Sequence, residues 1–185
     1  SKKRLNLYFS GQVRTLYLNL DSIITTIRKS NPGIEIHIYY SFWDSTYREL
    51  DRANGPRKAP DSTWAIRGSM DLLKDHVTCE RLNSLFLSRG CKTVQGILVN
   101  EDIMHELIKN SPFQDPDIMS SNGKTSWNET QLSSQYYQIQ KAASLYTPAP
   151  DEYCARIRAD IIVSNFPNLE PIGGDIFNKA SPTSL

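Results

Sequence analysis

The first 40 residues change hydrophobic period twice, and that pattern constrains the fold more than any other feature of the chain. Leu5 to Phe9 is a short apolar run with Tyr8, led in by Lys2, Lys3 and Arg4, and it reads as a buried strand. Ser10-Gly11-Gln12 breaks the run. From Thr15 to Lys29 the apolar residues Leu16, Leu20, Ile23, Ile24 and Ile27 recur at helical spacing. Asn31-Pro32-Gly33 is a helix stop. Ile34 to Tyr40 then alternates as a second strand. Strand, helix and strand in close succession make a βαβ unit, which implies a parallel pair.

The remaining chain continues the alternation. Residues 45–63 are polar and turn-rich and read as a long loop. Met70 to Lys74 and Arg81 to Leu87 have helical spacing, Thr93 to Val99 reads as a third strand, and Glu101 to Lys109 as a helix stopped by Ser111-Pro112. Residues 112–126 are again turn-rich. Gln131 to Tyr146 places Leu132, Tyr136, Ile139, Ala143 and Tyr146 on one helical face. Tyr153 to Val163 is the most apolar late segment and is expected to be a central strand, followed by a turn-rich tail. The expected fold is α/β, a mostly parallel sheet with helices on both faces.

With 185 residues, 39% of them hydrophobic, the chain suits one domain over residues 1–185. Its 21 basic and 20 acidic residues leave a net charge of +1, which argues against nucleic acid or an anionic membrane surface as partner. No apolar run is long enough to span a bilayer. Cys79, Cys91 and Cys154 have no paired spacing, so a reducing compartment, the cytoplasm, is expected. The start at Ser1 and the end at Leu185 suggest a piece of a longer protein with further C-terminal domains.

In open α/β sheets ligands bind beyond the carboxyl ends of the strands, so the chemistry is sought there. After the first strand, Gly11 permits close backbone approach, Gln12 follows, and Arg14 can grip a phosphate at a helix start. The bland alternative is a turn capped by Thr15. The pattern is neither a P-loop nor GxGxxG. After the second strand, Trp43 and Asp44 suit a nucleoside, the ring on the base and the carboxylate on the ribose. Tyr39 and Phe42 are read as core aromatics, and Asp44 can equally cap a helix. In the late strand Arg156, Arg158 and Asp160 would share one face, at a cost unless paired or ligated. Asp160 is then a hard ligand for Mg²⁺ or Mn²⁺. Gln135 can face the pocket or only pack. His37, His76 and His105 lack metal-ligand spacing, and His37 reads as a satisfied core histidine.

Three stretches together resemble the GT-A-type glycosyltransferases of viruses and bacteria, including those of large algal (chlorella) viruses that decorate the capsid protein. They are Phe9-Ser10-Gly11-Gln12-Val13-Arg14, Ser134-Gln135-Tyr136-Tyr137-Gln138-Ile139-Gln140-Lys141-Ala142 and Arg156-Ile157-Arg158-Ala159-Asp160, and their order spans nearly the whole chain. The resemblance implies a Rossmann-like GT-A domain that moves a sugar from a nucleotide-diphosphate donor, most often UDP-linked, to a glycan or glycoprotein acceptor. It also implies a Mn²⁺ or Mg²⁺ ion on a DxD-type motif. Here Arg158 stands where that motif has its first aspartate. Asp160 would be left as metal ligand and catalytic residue, with Arg158 and Arg14 on the diphosphate, and Gly11, Gln12, Trp43, Asp44 and Gln135 around the donor. No unambiguous base for the acceptor hydroxyl stands out, which tilts the expectation towards retention. Two alternatives stay open: a carbohydrate-binding or interaction module with a degenerate site, and another nucleotide-dependent transferase.

Overall fold

The structure is a computed structural model that describes residues 3–13, 16–44, 78–100, 103, 127–159 and 161–170. The long loop over 45–63, the helix expected at Met70 to Lys74, most of the helix expected at Glu101 to Lys109, the turns at 112–126 and the end of the tail lie outside these residues.

The βαβ unit forms as its periodicity requires. Strand β1 covers Arg4–Gly11, helix α1 Leu16–Ser30 and strand β2 Glu35–Trp43. The two strands are parallel, with Leu5 opposite Ile36 and Gly11 opposite Phe42. The buried face of α1 is Leu16, Leu20, Ile23, Ile24 and Ile27, the set its spacing selects. Helix α2 spans Cys79–Ser88 and is capped by Thr78, whose hydroxyl accepts the Arg81 backbone N–H at 3.2 Å. Strand β3 is Val94–Val99, helix α3 Trp127–Ala143 and strand β4 Tyr153–Ile157.

The four described strands form one parallel sheet in the order β3-β2-β1-β4. Period-two alternation sorts its residues between two faces. Leu5, Leu7 and Phe9 of β1 and Ile36, Ile38, Tyr40 and Phe42 of β2 join α1 and α2 in the main apolar core. Tyr8, Tyr39, Ser41 and Trp43 face α3. Helices on both faces explain why β1 and β2 are buried almost throughout. Gly96 of β3 sits opposite Tyr40, and a Cβ there would fall 2.1 Å from the Tyr40 ring. The glycine is what lets that buried ring lie across the neighbouring strand.

Two expectations are corrected. The late strand is five residues long and, among the described residues, lies at the sheet edge beside β1. Beyond Ile157 the chain leaves the sheet, and Ile162 is 76% exposed. The cause is a set of non-local hydrogen bonds from polar side chains of α1 and of Asn31 just past its end. Asn19 Nδ2 donates to the Ala159 carbonyl (3.4 Å), Thr26 Oγ1 to Val163 (3.0 Å) and Asn31 Nδ2 to Pro167 (2.9 Å). The segment is thereby laid along α1, with Val163 and Phe166 against the core and Leu169 within it. The second correction concerns α3, which buries Gln138 and Ala142 and leaves Tyr136 exposed. Its inward face is turned from the expected one because the sheet beneath is polar and aromatic: Ser41 donates a hydrogen bond to Gln138 Oε1, and Tyr137 stacks on Trp43.

Candidate functional site

Because all four strands are parallel, their carboxyl ends share one edge. Strand β1 delivers Gly11, Gln12 and Val13 to that edge. Gly11 has φ +109°, a conformation that strongly favours glycine. Val13 closes the turn into α1 by accepting the Leu16 N–H at 2.9 Å. Strand β2 delivers Trp43 and Asp44, and the Asp44 N–H is tied to the Val99 carbonyl of β3 at 2.9 Å. Strand β4 delivers Arg158 one residue past its last pairing, Phe9 with Ile157.

The strand order fixes where along this edge a crevice opens. From β1 the chain moves outward through β2 to β3, then returns to place β4 on the other side of β1. That reversal between β1 and β4 is a topological switch point, where the connections diverge and leave room for a ligand. Gly11 and Gln12 stand on one side of it and Arg158 on the other. Helix α3 runs antiparallel to the strands, with Tyr137 beside Trp43 and Tyr146 beside Tyr39. Gln135 is therefore one turn nearer the carboxyl edge than the buried Gln138, on the same helical face. Arg14 and Asp160 lie outside the described residues.

Trp43 does not offer an open platform. It is 2% exposed and packed with Val99, Ile97 and Tyr137, whose ring is stacked on it at 6.0 Å. The indole belongs to a small core that anchors the turn at Asp44, which is itself exposed. Tyr39 and Phe42 are buried as core aromatics. His37 is buried but not satisfied: neither ring nitrogen has a hydrogen-bond partner among the described residues. Burial, then the nearby Arg4 charge, holds its pKa below the ordinary value. Burial pushes the Cys91 thiol up to about 11, so it is no nucleophile near neutral pH.

Among the described residues no group of three or more His, Cys, Asp or Glu side chains could hold an ion. Among the described strand ends, Asp44 is the acid at the carboxyl edge. The described residues alone do not make up a metal centre, and Asp160 is not among them.

Sequence reasoning missed a polar cluster at the opposite, amino edge. Glu152 pairs with Arg4 Nε at 3.4 Å and accepts from Asn6 Nδ2 at 3.0 Å and from the Tyr146 hydroxyl at 3.0 Å. Arg4 also donates to the Tyr39 hydroxyl at 2.7 Å and lies 4.4 Å from the Tyr146 ring centre. Burial tends to raise the Glu152 pKa, but these hydrogen bonds and the Arg4 charge outweigh it and lower the carboxyl overall. The legible signal was a charge at the start of each of two apolar segments, Arg4 and Glu152, which the parallel pairing of β1 and β4 brings together.

Comparison with protein-family models, with curated proteins and with solved structures finds no match to this chain. What the described residues define is an α/β fold with a parallel sheet and a switch-point crevice. Among them no helix is long and apolar enough to cross a membrane.

Proposed function

We propose that the chain is a glycosyltransferase domain of GT-A type, which moves a sugar from a UDP-linked or similar nucleotide-diphosphate donor to a glycan or glycoprotein acceptor. The observation that carries this reading is the convergence of Gly11 and Gln12, of Asp44 and of Arg158 on one carboxyl edge, the first two and Arg158 flanking the switch point. Residues far apart in sequence and singled out for the same donor end on neighbouring strands.

Rupture of the sugar–phosphate bond places negative charge on the departing diphosphate. Arg158, with Arg14 three residues after Gly11 in sequence, is assigned to that charge, because a guanidinium matches two phosphate oxygens and keeps its charge at any working pH. Gly11 lets the backbone approach the diphosphate, and Gln12 and Gln135 supply neutral hydrogen bonds. Asp44 takes the ribose hydroxyls. Trp43, assigned to the base from sequence, here supports the Asp44 turn from within the core. A Mn²⁺ or Mg²⁺ ion, held by Asp160, would add charge neutralisation on the diphosphate.

Arg158 in place of the first acid of a DxD-type motif favours a second reading, a glycan-binding module without transfer activity. Thermal-shift titration with UDP, GDP and their sugars, each with and without Mn²⁺, separates the two. Stabilisation by a nucleotide diphosphate supports the transferase. Stabilisation by free glycans alone supports the module. Asp160→Asn should abolish any Mn²⁺-dependent part of donor binding; unchanged Mn²⁺-dependent binding and turnover in that variant would remove Asp160 as metal ligand.

A further inference from the structure

A cleft of about 400 Å³ lies over β1 and β4 beneath the C-terminal half of α3, adjoining the switch point, and is within the size range of small-molecule sites. Ile139, Ala142, Ala143 and Pro148 make much of its wall, and the two alanines leave the space that larger side chains would fill. Tyr8 and Tyr146 add aromatic surface, and both are fixed in place. The Tyr8 hydroxyl donates to the Tyr146 carbonyl at 3.2 Å, and both rings stack on Tyr39, at 5.3 and 4.9 Å. A wall ordered before binding costs a ligand little further ordering.

The polar atoms gather on Ser10 and Arg156. Arg156 Nε donates to Ser10 Oγ at 3.1 Å. Ser10 is only 6% exposed, and its own hydroxyl proton has no acceptor among the described residues. A buried donor left unspent is costly, so an occupant that brings an oxygen acceptor is favoured there. Arg156 adds a permanent positive charge on a fork of five N–H donors, which serves more than one acceptor at once.

We propose that this cleft binds a small aromatic molecule carrying one acid group, its ring against Tyr8, Tyr146 and Ile139 and its acid at Ser10 and Arg156. The proposal does not rest on the transferase reading, although Ser10 and Arg156 adjoin Gly11 and Arg158. Two fluorescent probes that differ by the acid alone test it: 8-anilinonaphthalene-1-sulfonate and the uncharged N-phenyl-1-naphthylamine. The sulfonate should bind with one-to-one stoichiometry and more tightly than the neutral probe. Arg156→Gln should weaken the sulfonate roughly tenfold and leave the neutral probe unchanged. Ala143→Trp, at an exposed rim position, should abolish both while circular dichroism stays native. Cys154 lines the cleft and gives a readout on the unaltered chain: bound sulfonate should slow its alkylation and not that of Cys79. Retained binding in Ala143→Trp, equal loss of both probes in Arg156→Gln, or an unchanged Cys154 rate would overturn the assignment.

Discussion

Asn31 closes the run of α1 side chains that holds the segment after β4, and its removal has a cost that can be worked from its contacts. The side chain is buried just past the end of α1. Its Oδ1 accepts the Leu169 backbone N–H at 2.7 Å, and its Nδ2 donates to the carbonyls of Pro167 at 2.9 Å and Ile27 at 3.2 Å. Asn31→Ala strands the Leu169 N–H in a buried place, which costs about 1–3 kcal/mol. Loss of the Pro167 bond adds about 0.5–1 kcal/mol, since that exposed carbonyl can turn to water. The Ile27 carbonyl loses little because it already accepts the Asn31 backbone N–H at 3.0 Å. The expected destabilisation is about 1.5–4 kcal/mol, read as a lower urea midpoint at unchanged slope. Asn31→Asp keeps the acceptor for Leu169 but sets a carboxylate against two carbonyls. Its stability deficit should therefore be largest near neutral pH and should shrink in acid, where protonation restores a donor. A loss below about 0.5 kcal/mol in Asn31→Ala, or an Asn31→Asp deficit that ignores pH, would refute the idea that these hydrogen bonds set the path of the segment.

Gly96→Ala should lower the melting temperature by several degrees, an overpacking cost of about 1–3 kcal/mol, because the Tyr40 ring 2.1 Å from the new Cβ is buried and bonded to Asn83 at 2.8 Å. His37 should make the fold acid-sensitive: its folded pKa lies below 6.5, so the unfolded chain binds the proton first and stability falls as pH drops below that value. His37→Phe should flatten the urea midpoint between neutral pH and that window. Glu152 adds a second loss further down, as pH falls through its depressed folded pKa, and Glu152→Gln should remove it. Arg158→Gln should weaken UDP roughly tenfold in calorimetry and leave uridine unchanged, since the lost partner is the diphosphate. Cys91 should be the last thiol alkylated in the native state, being buried with its pKa at about 11.

Local pattern made part of the candidate site legible. Gly11, Gln12 and Asp44 stand out because each follows an apolar run, Arg158 because it is a charge within one, and in a parallel sheet strand ends share one edge. Trp43 was misjudged because an aromatic at a strand end looks the same from sequence whether its face is open or, as here, covered by Tyr137 from a helix more than 90 residues away. Arg156 and Ser10 gain their meaning from the pairing of β1 with β4. The cleft beside them needs the small side chains of α3 above it.

By itself the sequence determined the βαβ unit and the buried stripe of α1. Periods of 3.6 and 2 are local, and burial of one face follows from them wherever the element packs. Tertiary structure decided that β4 lies beside β1 at the edge among the described strands. It also decided that the chain past Ile157 abandons the sheet for α1. The apolar run Ile161-Ile162-Val163 carries a strand's composition, but the carbonyls around it are taken by Asn19, Thr26 and Asn31. Those partners lie well over 100 residues earlier in the chain, and no local period encodes them.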